Sequence, residues 1–249
     1  MRLAIFAVLG MPEIHPGDDL AREITRALEA QSERLHERDV VVIAQKIVSK
    51  AEGRLVRLPD VEPRSDARRF ANEHHKDARV VEVVLRESRN VIRMERGVII
   101  SETHHGFVCA NAGVDRSNAG APDTVVVLPE DPDASARRLR VALRERADVE
   151  VAVIVSDTFG RAWREGHANV AIGVAGVPAL LRYAGQYDPD GYELKVTEIA
   201  VADEVAAAAE LVMGKLKRCP VAVVRGVDYE DSGETAQTYV RPREKDLFR

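Results

Sequence analysis

The sequence predicts an α+β fold with mixed and antiparallel sheets and flanking helices, and three observations carry that reading. Apolar, β-branched runs recur at residues 40–44, 151–155 and 220–224, as expected of strands buried on both faces. Helical and strand patterns alternate without a regular βαβ rhythm, and several strands read as hairpin-linked, which disfavours a doubly wound parallel sheet. Neither a G-x-x-x-x-G-K-[ST] phosphate loop nor a G-x-G-x-x-G fingerprint occurs. No internal repeat or linker divides the chain, so residues 1–249 are expected to form one domain, with room for two subdomains.

Taken in order, residues 3–9 predict a strand, and Pro16-Gly17-Asp18-Asp19 supplies a turn and an N-cap for a helix over 20–35. Leu20, Ile24, Ala27, Leu28 and Leu35 fall on one face of it. Asp39 opens the strand at 40–44, and a charge-rich surface helix is expected over 63–76. Residues 80–85 and 91–94 predict short strands joined by a turn at 87–90; further strands follow at 97–100, 107–110 and 125–128. Asp131-Pro132-Asp133 starts a helix reaching about residue 146. Residues 194–201 predict a strand, 203–215 an alanine-rich helix with Gly214 near its end, and 220–224 the last strand.

Composition bounds the function. Of 249 residues 45% are hydrophobic and 31% charged, a soluble profile, and the net charge of -5 argues against general nucleic-acid binding. The two cysteines, Cys109 and Cys219, offer neither a disulfide framework nor a zinc site and fit a reducing cytoplasm. The opening MRLAIFAVLGMPEI is too short in apolar character to span a membrane, and a cytoplasmic protein is expected.

The chemistry concentrates in VAVIVSDTFGRAWREGHANVAIGVAG, residues 151–176. Ser156, Asp157 and Thr158 follow a buried strand directly, and a carboxylate with a hydroxyl there can hold a hard, oxygen-seeking cation. The alternative is that Asp157 caps a helix starting at Thr158. Arg161 and Arg164 suit phosphate oxygens. Lys46, Lys50 and Arg54 stand at steps of four and share a face on a helix or a strand, as a solvated face or as an anion site. In the loop 111–123, Asp115 and Asn118 are ligand candidates, or the formers of an Asx-turn. His104 and His105 point apart on a strand and rank as turn or substrate-contact residues before metal ligands. Asp228, Glu230, Asp231 and Glu234 crowd the tail, as a solvated acidic loop or as one that orders only around a metal-nucleotide.

GMPEIHPGDDL, VVVIAQKIVSKAEGR, HHGFVCANAGVDRSN, VLPEDPDASARRLR, VIVSDTFGRAWREGHANVAIGVAG and the terminal EKDLF together resemble the coenzyme F420-0:L-glutamate ligase family over nearly the whole chain. The resemblance implies a GTP-dependent ligase that adds γ-linked L-glutamate to the deazaflavin precursor coenzyme F420-0. It also implies an unusual α+β fold, two divalent ions (Mg²⁺ or Mn²⁺), a stimulating K⁺ and a homodimer. Asp115, Asp157 and Thr158 match the family's metal ligands. Met11, Pro12, Glu13, Ile14, Gln45, Lys46, Lys50 and Asn118 match places that contact the nucleotide. Glu230, Asp231 and Glu234 are candidates from the loop after Arg225-Gly226, with Glu230 the choice for a metal. Some relatives carry a C-terminal nitroreductase-like domain, and none is expected here.

The chemistry so implied is phosphoryl transfer from GTP to a carboxylate, then attack of the glutamate amine on the acyl phosphate. Asp115, Asp157 and Lys50 are the expected catalytic residues. Two other classes fit the same residues: a metal-dependent phosphohydrolase with water as nucleophile, and a non-catalytic GTP-binding regulator.

Overall fold

The computed structural model describes residues 2–117 and 119–247, so Asn118 lies outside the described residues. The first half of the chain runs β1 (Ala4–Ala7), α1 (Leu20–Ala30), β2 (Val40–Ala44), α2 (Gln45–Ala51) and β3 (Leu55–Arg57). It continues through α3 (Ser65–His74), α4 (Ala78–Arg86), β4 (Ser88–Glu95), β5 (Val98–Thr103), β6 (Val108–Ala110) and β7 (Thr124–Val126). The second half adds α5 (Pro132–Ala147), β8 (Ala152–Arg161), β9 (Arg164–Ala175), β10 (Leu181–Arg182), β11 (Glu198–Ile199), α6 (Val201–Met213) and β12 (Val221–Arg225).

A five-stranded sheet in the order β1-β12-β2-β8-β9 forms the centre, and β2 and β8 are its one parallel pair among the described residues. β2 and the first half of β8, through Val155, are apolar because both faces are covered there. On one face Ile24 and Leu28 of α1 and Leu139 and Leu143 of α5 pack on Val41, Ile43, Val153 and Val155. On the other, Val205, Ala206 and Ala209 of α6 pack on Val40, Val42 and Ile154. Each fully buried Leu or Ile contributes roughly 1.5–3 kcal/mol by leaving water. Close approach fixes Gly173 on β9, where a Cβ would stand 2.3 Å from the Pro132 carbonyl oxygen at the start of α5. Smaller β4-β5-β6 and β3-β7 sheets flank this core with α3 and α4.

The fold is α+β, as expected, with local differences. Residues 80–85 lie in α4 and form no strand. Asp77 caps that helix by accepting from the Arg79 amide, and Val81 and Val84 meet Ala67 and Phe70 of α3, so packing overrides the strand preference of a valine-rich run. Between 194 and 201 only Glu198–Ile199 is a strand, and Val201 already begins α6. The first helix ends at Ala30, leaving Leu35 buried beyond it. No helix begins at Thr158, because β8 continues through Arg161.

Register positions the functional end of the sheet. Ala44 pairs with Ser156, so β2 and β8 finish side by side. Antiparallel β12 begins at that same end, with Val221 opposite Ile43. The turn from β2 into α2, the continuation of β8 and the loop entering β12 therefore converge. No helix among the described residues is long and apolar enough to cross a membrane.

Candidate active site

Those three segments, with the 11–14 loop and Gly120, enclose a cleft of about 750 Å³. α2 starts directly after β2, which drives Gln45, Lys46 and Lys50 into the cleft from its first two turns. Gln45 is fully buried and its amide oxygen accepts from the Ser49 hydroxyl at 2.9 Å. Lys50 is also buried and pairs with Glu13, whose neighbours Met11, Pro12 and Ile14 form the adjoining wall. Gly120 faces this pair: a Cβ there would lie 3.7 Å from Glu13 Oε1 and 3.9 Å from Lys50 Nζ.

Lys46 reaches the opposite side. Its Nζ lies 2.7 Å from Asp115 Oδ2 and 2.6 Å from the Ser117 hydroxyl. Asp115 is held by two β-bridge hydrogen bonds with Val126 and by the Ser117 amide, which donates to Oδ1 at 2.7 Å. The Asx-turn and the charged contact thus coexist in one residue. Burial opposes the charge of Asp115, yet the bonds from Lys46 and the Ser117 amide hold its carboxyl below the usual carboxylate range.

Asp157 behaves in the opposite way. Burial pushes its carboxyl up to about 6; the Thr158 amide and the Lys215 charge offset part of that rise, and the Asp115 charge adds to it. The Asp115 charge counts for less here than burial, the Thr158 amide or Lys215, and it marks Asp115 as a neighbouring carboxylate. Beside them Thr158 Oγ1 donates to Asn169 Oδ1 at 2.7 Å and accepts from Lys215 Nζ at 2.7 Å. Asn169, opposite Thr158 on β9, donates in turn to Glu210 of α6 at 3.1 Å.

Two carboxylates and a hydroxyl are the donor set a hard divalent cation takes when substrate phosphates and water complete its shell. A cation between Asp115 and Asp157 would also relieve their repulsion, so these residues fit such an ion. Among the described residues no group of three or more His, Cys, Asp or Glu is arranged to hold a metal alone.

Other expected participants lie elsewhere. β12 runs away from the cleft, so the tail after Arg225 emerges at the far end of the sheet, where Arg225 pairs with Asp39. Asp231 there bonds Arg140, and Glu234 bonds Arg182 and the Ala179 and Leu180 amides. Glu230 is exposed and lines no part of the cleft. Within this chain the structure does not bring the tail acids to Asp115 and Asp157. Arg161 donates to the Glu165 carbonyl at the β8–β9 hairpin tip, and neither it nor Arg164 lines the cleft. His104 and His105 bond backbone carbonyls of Arg86, Pro129 and Glu130.

Among the polar residues of the cleft, Asn169, Glu210, Lys215 and Arg218 had no role in the sequence reading. The basic run after Gly214 was the available signal for Lys215 and Arg218. It points to the cleft only once β12 is known to lie beside β2.

The α+β chain gathers Lys46, Lys50, Asp157 and Lys215 beyond the ends of two parallel strands and carries neither a P-loop nor a dinucleotide loop, which sets it in a class apart from the proteins built on those motifs. More particularly, it belongs to the F420-0:gamma-glutamyl ligase family, whose model matches residues 9–226. It is 48% identical over 242 residues to the coenzyme F420:L-glutamate ligase of Methanopyrus kandleri, covering 95% of this chain and 94% of that one. Identity to the protein of the same name from Methanothermobacter thermautotrophicus is 44%, over the full length of both. The Haloarcula marismortui protein, named likewise, is 42% identical across 99% of this chain and 96% of its own.

Proposed function

We propose that the chain ligates L-glutamate to coenzyme F420-0 at the expense of GTP, through an acyl phosphate. One observation carries the reading: one cleft gathers Asp157 with Lys46, Lys50 and Lys215, and Lys46 pairs with Asp115, in a chain 44% identical to a named ligase over its full length.

A carboxylate forms an amide only after activation, because oxide is a poor leaving group. Transfer of the γ-phosphoryl group makes that oxygen part of a phosphate leaving group. Such transfer asks the protein for positioning and charge neutralisation more than for covalent help. Lys46, Lys50 and Lys215 supply fixed positive charge for phosphate oxygens. Pro12 and Ile14 provide an apolar wall, and Asp115 and Asp157, with Thr158, would hold Mg²⁺ or Mn²⁺. The bound ion would supply neutralisation of charge on the transferring group. The glutamate amine attacks the acyl carbon, phosphate departs, and the amine loses a proton to give the amide. The reading extends to a stimulating K⁺ and a homodimer, as the family resemblance implies.

Support comes from the family, from the donor set and from the cleft's size, which lies in the usual range of small-molecule sites. Incubation with GTP, Mn²⁺, L-glutamate and coenzyme F420-0 should yield an acceptor heavier by one glutamyl residue, read by mass spectrometry. GTP loss without that product would indicate a phosphohydrolase; GTP binding without loss would indicate a regulator.

A further inference from the structure

We infer that a second cavity, whose lining follows the cleft's along β8 and β9, seats the planar ring system of the deazaflavin acceptor. This rests on the ligase reading and assigns the acceptor's place in it. The cavity measures about 500 Å³, and Phe107, Val108, Phe159, Trp163, Val170 and Tyr239 are among its lining residues.

Strand geometry places it beside the chemistry. Asp157 lines the cleft, while Phe159, two residues further along β8, and Val170, the partner of Asp157 on β9, line the second cavity. Residues two apart on a strand project from the same face and stand about 7 Å apart. A ring seated against Phe159 thus directs its carboxylate-bearing tail along β8 towards Asp157 and the lysines.

The lining suits a flat heteroaromatic ring. Phe107 and Phe159 meet edge to face with centroids 6.5 Å apart, and His105 stacks on Phe107 at 5.9 Å. Trp163 turns the β8–β9 hairpin with 84% of its surface exposed, a large aromatic face at the cavity mouth. Rings of this kind gain from stacked and edge-to-face neighbours beyond their area burial. Asp203 contributes a carboxylate, fixed by the Ala171 amide at 2.8 Å, that can orient a ring edge carrying N–H groups. An aromatic pocket with few polar groups is the usual form of a small-molecule seat.

Trp163 is the chain's single tryptophan, so its emission reports on this cavity alone. The intact chain is titrated with a 5-deazaflavin lacking the carboxylate-bearing tail. Saturable quenching is expected, displaced by the full acceptor and unaffected by GTP. Phe159→Ala should weaken that quenching and raise the acceptor KM at least about fivefold, the low end of ring-stacking effects, with the GTP KM unchanged. Trp163→Ala, at an exposed turn, provides a second variant that does not disturb the core and should raise the acceptor KM in the same direction. The inference is overturned if wild-type chain forms product while neither variant shifts the acceptor KM. Displacement of the ring by GTP would overturn it by assigning the cavity to the nucleotide base. Emission that changes with protein concentration and not with the ring would overturn it by making the cavity a contact between copies. Quenching that depends on Phe159, without product under any condition, would uphold the ring seat and sink the ligase reading.

Discussion

Lys46 Nζ stands 2.7 Å from Asp115 Oδ2 and ties the start of α2 to the loop ahead of β7. The pair is partly exposed, with 21% and 39% of the two side chains accessible, so solvent screens it and its net worth to stability is small. Its importance is in what each partner gives up on binding. Phosphate oxygens compete for the lysine, and a cation competes for the carboxylate. Asp115→Asn is therefore expected to lower kcat/KM by about 100- to 1000-fold with little change in Tm, the scale of losing one preorganised charge. Steady-state ligation assays at saturating Mn²⁺ check this, and near-normal turnover would remove Asp115 from the machinery.

Asp157 predicts a pH-dependent stability of unusual sign. Its folded pKa, about 6, lies above the ordinary 3.8, so with rising pH the unfolded chain ionises first and the native state loses ground. Without metal, this group's contribution to stability falls between about pH 4 and pH 6, and its full cost stands above pH 6. With chelator present, Asp157→Asn should then be the more stable protein near neutrality, by on the order of 1–3 kcal/mol, and lose that advantage below about pH 4. Excess Mn²⁺ should raise the Tm of the wild type by clearly more than that of the variant. Equal Tm values at both pH values would contradict the buried charge, and equal Mn²⁺ shifts would contradict ligation by Asp157.

Lys215 donates to the Thr158 hydroxyl at 2.7 Å, and its charge helps to offset the rise in the Asp157 pKa. Lys215→Ala is expected to raise the KM for nucleotide about tenfold, as loss of one charge-assisted contact does, and to lower kcat as well. An unchanged nucleotide KM would show that this lysine serves only to orient Thr158.

The sequence exposed the strands better than the site. Runs such as 40–44 and 151–155 are buried on both faces, which leaves an unbroken apolar stretch in the sequence. Lys46 and Lys50 stood out by their spacing just after an apolar strand, Asp157 and Thr158 by following another, and Asp115 by its Gly/Asn-rich loop, and the structure brings all five to one end of the sheet. α4 was hidden because valines favour strands locally, and its helix depends on packing against α3. Lys215 and Glu234 needed the strand order. Spacing along the chain does not reveal that β12 begins at the cleft and ends away from it.

That topology makes the tail a structural tie. Burial works against the charge of Glu234, but the Arg182 pair and two backbone amides hold its carboxyl below the ordinary range. Glu234→Ala frees those amides and should cost on the order of 1–3 kcal/mol of stability, with the KM for GTP changed less than about twofold. Hydrogen exchange of the Ala179 and Leu180 amides should quicken in the variant. An unaltered Tm with a large rise in the GTP KM would place the tail at the nucleotide after all.

The most direct test of the central claim is the coupling of GTP loss to amide formation. Phosphate release and glutamylated acceptor are measured together, with L-glutamate and coenzyme F420-0 each present or withheld. The account predicts one phosphate per amide bond, little GTP loss when the acceptor is withheld, and poor replacement of GTP by ATP. GTP hydrolysis at an undiminished rate without acceptor or glutamate would contradict it.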